Sequence, residues 1–133
     1  MAQITGVAHV ELSVSDLDTS SAWYSVLLNA PEIFRLEDTA AEIVACALRE
    51  PESGMIIAFT QHLHHEPGPF TPRRTGLDHL CFGVATAEGL HEWANRLDAF
   101  AIARSPVQDY GYGLAITCVD PDGIALEFMW ARR

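Results

Sequence analysis

One nine-residue run occurs twice in this chain, 70 residues apart. Gly6-Val7-Ala8-His9-Val10-Glu11-Leu12-Ser13-Val14 is matched by Gly76-Leu77-Asp78-His79-Leu80-Cys81-Phe82-Gly83-Val84. The same offset pairs Trp23 with Trp93 and Leu27 with Leu97, and an offset of 69 pairs the run 54–59 with the run 123–128. Two copies are too few for a solenoid, which needs at least about three to bury its faces. The repeat therefore predicts one domain over residues 1–133, made of two related modules packed about a pseudo-twofold axis, neither stable alone. Module 1 is expected over about 4–61 and module 2 over about 76–131, joined by a His- and Pro-rich loop at 62–75.

Each module reads as βαβββ. The opening strands are expected at 4–14 and 77–85, each followed by a helix. In the first helix Trp23, Val26, Leu27 and Ala30 fall at i, i+3, i+4 and i+7, after capping residues at 18–21. In the second, Thr86 is the expected cap, and Leu90, Trp93, Ala94 and Leu97 make the stripe. Both tryptophans are expected in the core. Three strands follow in each copy, near 32–36, 42–49 and 55–61, then near 101–107, 113–119 and 124–130. Turn residues at 50–54 and 120–123 separate the last two strands of each. The fold class is α+β, with two tandem βαβββ modules.

Composition narrows the partners. Eight basic residues stand against 18 acidic ones, a net charge of −10. Such a chain repels a phosphate backbone and an anionic membrane, so neither nucleic acid nor membrane is an expected partner. The first residues have neither a basic start nor a long apolar run, so no signal peptide is expected. The three cysteines, Cys46, Cys81 and Cys118, are odd in number, form no CxxC pair and lie in apolar runs. They are expected to be reduced and buried in a cytoplasmic protein.

Strand alternation then places the chemistry. Ala8, Val10, Leu12 and Val14 share one face of the first strand, and Val7, His9, Glu11 and Ser13 the other. Leu80, Phe82 and Val84 oppose Leu77, His79 and Cys81. Ile124, Leu126, Phe128 and Trp130 oppose Ala125, Glu127 and Met129. The bulky faces suit packing on the helices, and the opposite faces carry His9, His79 and Glu127. A charged Glu in an apolar strand is costly unless paired or ligated. Two imidazoles and a carboxylate make a three-ligand set for a divalent first-row metal, with positions left open for water or substrate.

The repeated βαβββ units, the two equivalent histidines, the Asp120-Pro121-Asp122-Gly123 turn and the Glu in Leu126-Glu127-Phe128 together resemble the vicinal oxygen chelate superfamily. That group contains glyoxalase I, extradiol dioxygenases, fosfomycin-resistance transferases, epimerases and bleomycin-resistance proteins. The resemblance implies curled mixed sheets around a metal and substrate cavity, with His9, His79 and Glu127 at the family's ligand positions. It implies a divalent ion (Fe2+, Mn2+, Zn2+, Ni2+ or Co2+) and a homodimer, with modules exchanged between chains as one arrangement. Four-ligand members carry an acidic residue or Gln where this chain has Ala58, which cannot ligate. The three-ligand pattern is closer to the dioxygenases and fosfomycin transferases.

Further candidates surround this set. His62, His64 and His65 follow the fourth strand, near an expected cavity mouth, and His64 is a candidate acid or base. Tyr110 and Tyr112 flank Gly111, where a phenol can bond a substrate oxygen, and Tyr112 is the second catalytic candidate. Glu11, Phe59, His62, Cys81, Tyr110 and Met129 are candidate substrate contacts. The expected function is a metal-dependent enzyme acting on a small organic substrate through two neighbouring oxygens, as a ring-cleaving dioxygenase or a lyase or isomerase. The alternative is a non-catalytic protein that sequesters an antibiotic or another aromatic ligand.

Overall fold

The duplication is one of architecture. In the computed structural model, which describes residues 1–132, the chain divides into two compact units, Met1–Pro67 and the segment from Gly68 onward. The first contains β1 (Val10–Ser13), α1 (Leu17–Leu28), β2 (Glu32–Asp38), β3 (Ile43–Arg49) and β4 (Ile56–His62). The second contains β5 (Leu80–Gly83), α2 (Ala87–Ala99), β6 (Gln108–Asp109), β7 (Gly113–Val119) and β8 (Ala125–Ala131). Each unit is a four-stranded mixed sheet, ordered β1-β4-β3-β2 and β5-β8-β7-β6, and neither closes into a barrel. The opening strand pairs parallel with the last, and the remaining pairs are antiparallel. The fold is α+β, as the sequence implies. Among the described residues no helix is long and apolar enough to cross a membrane.

The ladders fix which side chains share a face. β1 runs alongside β4 with Val10 opposite Ile57 and Glu11 opposite Ala58. β5 runs alongside β8 with Leu80 opposite Leu126 and Cys81 opposite Glu127. Leu12, Ile57 and Phe59 are buried under α1, and Phe82, Leu126 and Phe128 under α2. Each such apolar side chain contributes roughly 1.5–3 kcal/mol when fully withdrawn from water. Tyr24 meets Phe59 with ring centroids 4.7 Å apart, and Trp93 stacks on Phe128 at 4.4 Å. Both histidine-bearing opening segments are shorter as strands than the expected 4–14 and 77–85. The β1 ladder opens only at Val10 because β4 emerges from the Gly54 turn, where φ is +74°, just before Ile56.

Three expectations are corrected. Of the stripe expected at Trp23, Val26, Leu27 and Ala30, Leu27 and Ala30 are buried, but the buried face of α1 runs through Leu17, Ser20, Ser21, Tyr24, Leu27 and Leu28 and leaves out Trp23 and Val26. Asp16 caps the helix, accepting from the Thr19 N–H at 2.7 Å, so the helix begins earlier and buries two small serines facing the sheet. Val26 is 56% exposed, and Trp23 lies half-buried, edge-on to Tyr24. Trp93 is likewise half-buried, although α2 keeps its expected stripe and its Thr86 cap. The strand expected at 101–107 shrinks to Gln108–Asp109. Pro106 has no N–H to give a ladder, and Ser105 substitutes its own hydroxyl, which accepts from the Thr117 N–H at 3.0 Å. Finally, Cys46 and Cys118 are buried, but Cys81 is exposed, because it lies on the sheet face away from α2. All three thiols are free.

The turn at 120–123 is held from within. The buried Asp120 carboxylate accepts from the N–H groups of Asp122 at 2.9 Å and Ile124 at 2.8 Å. Gly123 takes φ +80°, a conformation that suits glycine. This turn launches β8 and so sets the position of Glu127.

Candidate functional site

In the second unit His79 stands one residue before β5 and Glu127 lies in mid-β8, opposite Cys81 and Thr117. Their side chains meet, with His79 Nε2 4.0 Å from Glu127 Oε1. The other ring nitrogen, Nδ1, lies 2.7 Å from Asp78 Oδ1. A carboxylate there takes the Nδ1–H and leaves the lone pair on Nε2, the nitrogen that faces Glu127. Asp78 thus orients the imidazole as a donor, a role the sequence reading missed. The Glu127 side chain is only 14% exposed. Beside it, desolvation and the neighbouring Glu127 push the Cys81 thiol up to about 12.

These groups line a cavity of about 520 Å³ within the unit, whose walls include Asp78, His79, Arg104, Ser105, Thr117 and Glu127. Arg104 is held by Asp98 through a bidentate pair at 2.9 and 2.8 Å, which fixes its guanidinium at the cavity edge.

In the first unit His9 stands one residue before β1, with its Nε2 3.8 Å from Glu11 Oε2. The other oxygen of Glu11 accepts a hydrogen bond from the hydroxyl of Thr60, a buried residue on β4. Ala58, opposite Glu11, offers no ligating atom. The structure therefore joins His79 to Glu127, and His9 to Glu11. Among the described residues no group of three or more His, Cys, Asp or Glu side chains is placed to hold a metal ion.

The remaining candidates fall in varied places. Phe59 is fully buried against Tyr24, on the helix side of the sheet, so it is no ligand contact. The miss is one of phase, since β4 alternates Ala58 and Thr60 with Phe59. His62 closes β4 and is exposed, opposite Ile43. His64 is 80% exposed at its side chain and lies 3.7 Å from Glu42. Tyr110 and Tyr112 stack with centroids 6.0 Å apart, and Tyr110 donates its hydroxyl proton to Gln108 at 2.6 Å. Met129 is half-buried on the Glu127 face of β8, opposite Gly83 and Ala115.

Residues 6–128 match the family model described as the Glyoxalase/Bleomycin resistance protein/Dioxygenase superfamily. A crystal structure of a glyoxylase/bleomycin resistance protein/dioxygenase domain from Frankia sp. EAN1pec is 33% identical, with a TM-score of 0.89 over 98% of this chain and 100% of that one. A glyoxalase family protein from Enterococcus faecalis is 21% identical, with a TM-score of 0.77 over 94% and 97%. The fosfomycin resistance protein FosX from Listeria monocytogenes, in a complex with Mn(II) and sulfate, is 21% identical, with a TM-score of 0.70 over 98% and 95%. At that identity the last two likenesses concern the fold. A comparison with curated proteins gives no match.

Proposed function

Because the chain belongs to the Glyoxalase/Bleomycin resistance protein/Dioxygenase superfamily, we propose that it is a divalent-metal-dependent enzyme whose ion is ligated by His9, His79 and Glu127. The observation that carries this reading is the His79–Glu127 pair, with Nε2 and Oε1 4.0 Å apart and Asp78 on the far ring nitrogen. Imidazole plus carboxylate, with a carboxylate orienting the imidazole, is the donor chemistry that Fe2+, Mn2+, Zn2+, Ni2+ and Co2+ accept. The Mn(II) complex of FosX supports an ion of this class on this fold.

When bound, the ion supplies Lewis acidity to two neighbouring oxygens of a small organic substrate. The chain's own groups do the rest. Asp78 holds the His79 tautomer, and β8 holds Glu127 largely out of water, where its charge acts through a lower dielectric. The cavity beside them accommodates the substrate. Ring-cleaving dioxygenation and lyase or isomerase chemistry are the reaction classes this reading covers. His64, His62 and Tyr112 remain proposed as acid–base or contact groups, and Cys81, Met129 and Tyr110 as substrate contacts. A cytoplasmic homodimer suits the three free thiols and β2, which exposes Ile33, Phe34 and Leu36.

The stacked, exposed tyrosines and the net charge of −10 favour a second reading, sequestration of a cationic aromatic ligand without catalysis. Metal analysis separates the two. The enzyme reading expects the protein reconstituted with each of the five ions to retain one of them after desalting, and His9→Ala and Glu127→Ala to lose it. Protein that retains none of them refutes it, and a ligand complex indifferent to chelator supports sequestration.

A further inference from the structure

The second unit brings two hydrogen-bond acceptors face to face. Asp78 Oδ1 lies 2.7 Å from His79 Nδ1 and takes that proton, so Nε2 presents a lone pair. Across 4.0 Å it faces Glu127 Oε1, too far for a hydrogen bond, and an ionised carboxylate has no proton to give. The Glu127 side chain is only 14% exposed, and it accepts from the Cys81 thiol, a weak donor. Arg104, the basic residue of the cavity wall, is taken by Asp98. A carboxylate this far out of water is costly until a cation or a strong donor reaches it.

The spacing selects the group that fits. Among the described residues no third His, Cys, Asp or Glu joins this pair to hold an ion, and a pair alone is fewer than the three or four protein ligands a divalent ion ordinarily takes. A nitrogen about 2.8 Å from each of two acceptors 4.0 Å apart sees them at about 90°. A tetrahedral ammonium meets that angle with both N–H bonds close to linear. Its third N–H has Thr117, an exposed residue opposite Glu127 across the β7–β8 ladder, on the same sheet face and lining the same cavity. Ser105 is otherwise engaged: its hydroxyl accepts from the Thr117 N–H and donates to the Pro106 carbonyl at 2.8 Å. Ala103, Val119 and Ala125 give the cavity an apolar wall. Its volume of about 520 Å³ falls inside the range of roughly 300–1,000 Å³ usual for small-molecule sites.

We propose that the cavity of the second unit binds a small primary amine as its ammonium ion. His79 Nε2, Glu127 and Thr117 take its three N–H groups, and the apolar wall takes its carbon body. A quaternary ammonium carries the charge without the donors, so the site selects by N–H groups and not by charge alone. The inference rests on the sequestration reading above and deepens it, naming the subsite for the ligand's cationic end. It uses residues of the second unit only.

The test is titration of the isotope-labelled full-length protein, in excess EDTA and at mildly alkaline pH, where free imidazole is neutral and an alkylammonium is charged. The probes are benzylamine, benzyltrimethylammonium and benzyl alcohol, followed by amide chemical shifts and by calorimetry. Benzylamine is expected to bind at least about tenfold more tightly than either of the others, the scale of one hydrogen bond to a charged group. The shifts should centre on His79, Thr117 and Glu127. Glu127→Gln should weaken benzylamine by at least about tenfold, and Thr117→Val by less. Circular dichroism reports the folding of each variant, and the three-probe series on the wild-type protein decides if a variant does not fold. If benzyltrimethylammonium binds as tightly as benzylamine, with shifts at Tyr110 and Tyr112, the ammonium subsite is wrong and sequestration stands on the tyrosine stack. A folded Glu127→Gln variant with wild-type affinity for benzylamine overturns the subsite as well. If neither cation binds, the subsite and the cationic form of the sequestration reading fail together.

Discussion

Asp78 decides what His79 can do. A free imidazole exchanges its proton between two nitrogens, whereas one bonded at Nδ1 to a carboxylate presents Nε2 as a fixed donor. Asp78→Asn can still accept at that position, but without charge, and it can flip to present its amide. The expected outcome is a Mn(II) affinity lower by about tenfold or more, on the scale reported for outer-shell partners, with the melting curve unchanged. Isothermal titration beside a thermal melt checks it. An affinity equal to wild type would remove Asp78 from the site. That His79 and Glu127 lie on one side of their sheet was legible because strand alternation sets a residue's face by parity alone. Asp78 was not, because its repeat equivalent is Ala8 and adjacent residues on a strand ordinarily face apart. The hydrogen bond from Thr60 to Glu11 was hidden for another reason: it can be foreseen only once β1 and β4 are known to be parallel neighbours. Phe59 failed by one step of the same parity.

Among the elements, β6 pairs with β7 over only two residues, and side chains reinforce that short ladder. Asp109 accepts two bonds from Arg132, both at 2.7 Å, and one from the Gly111 N–H at 2.8 Å, which ties the β6–β7 turn to the end of β8. The Arg132 guanidinium, then the Gly111 amide, hold the Asp109 carboxyl well below its ordinary value of 3.8. A carboxyl depressed in the folded state contributes stability that is present above the unfolded value and is lost as pH falls through the folded one. The clamp is therefore constant through neutral pH and weakens only as the solution is acidified below 3.8. Both partners are exposed, so the contribution is modest and screened by salt. Wild type and Asp109→Asn should differ slightly in urea midpoint at neutral pH and converge in strong acid. A gap that persists undiminished in strong acid would contradict the ion-pair account. The short β6 and the phase of α1 were the elements the sequence did not disclose. In the first, Pro106 interrupts the pairing that Arg104 and Ser105 still make with β7, and the Ser105 hydroxyl accepts from the Thr117 N–H. In the second, two buried serines carry the face that apolar spacing assigned to Trp23 and Val26.

Across the whole chain, the duplication read from a nine-residue match is borne out as two four-stranded mixed sheets of the same order. It was legible because equivalent landmarks recur at 70 and 69 residues, and a repeat of that length is a supersecondary unit. The repeat also locates its own exceptions. Where the copies differ at equivalent positions (Glu11 against Cys81, Ala58 against Glu127, Ala8 against Asp78), the differences fall on or beside the polar faces. The central claim is that His9, His79 and Glu127 hold one ion. Anomalous diffraction from crystals of the Mn(II)- or Co(II)-reconstituted protein tests it most directly. The account predicts one strong peak per chain, about 2.0–2.2 Å from an imidazole nitrogen of His9, from Nε2 of His79 and from a carboxylate oxygen of Glu127. A peak bound to other side chains, or none in crystals soaked to saturation, would contradict it.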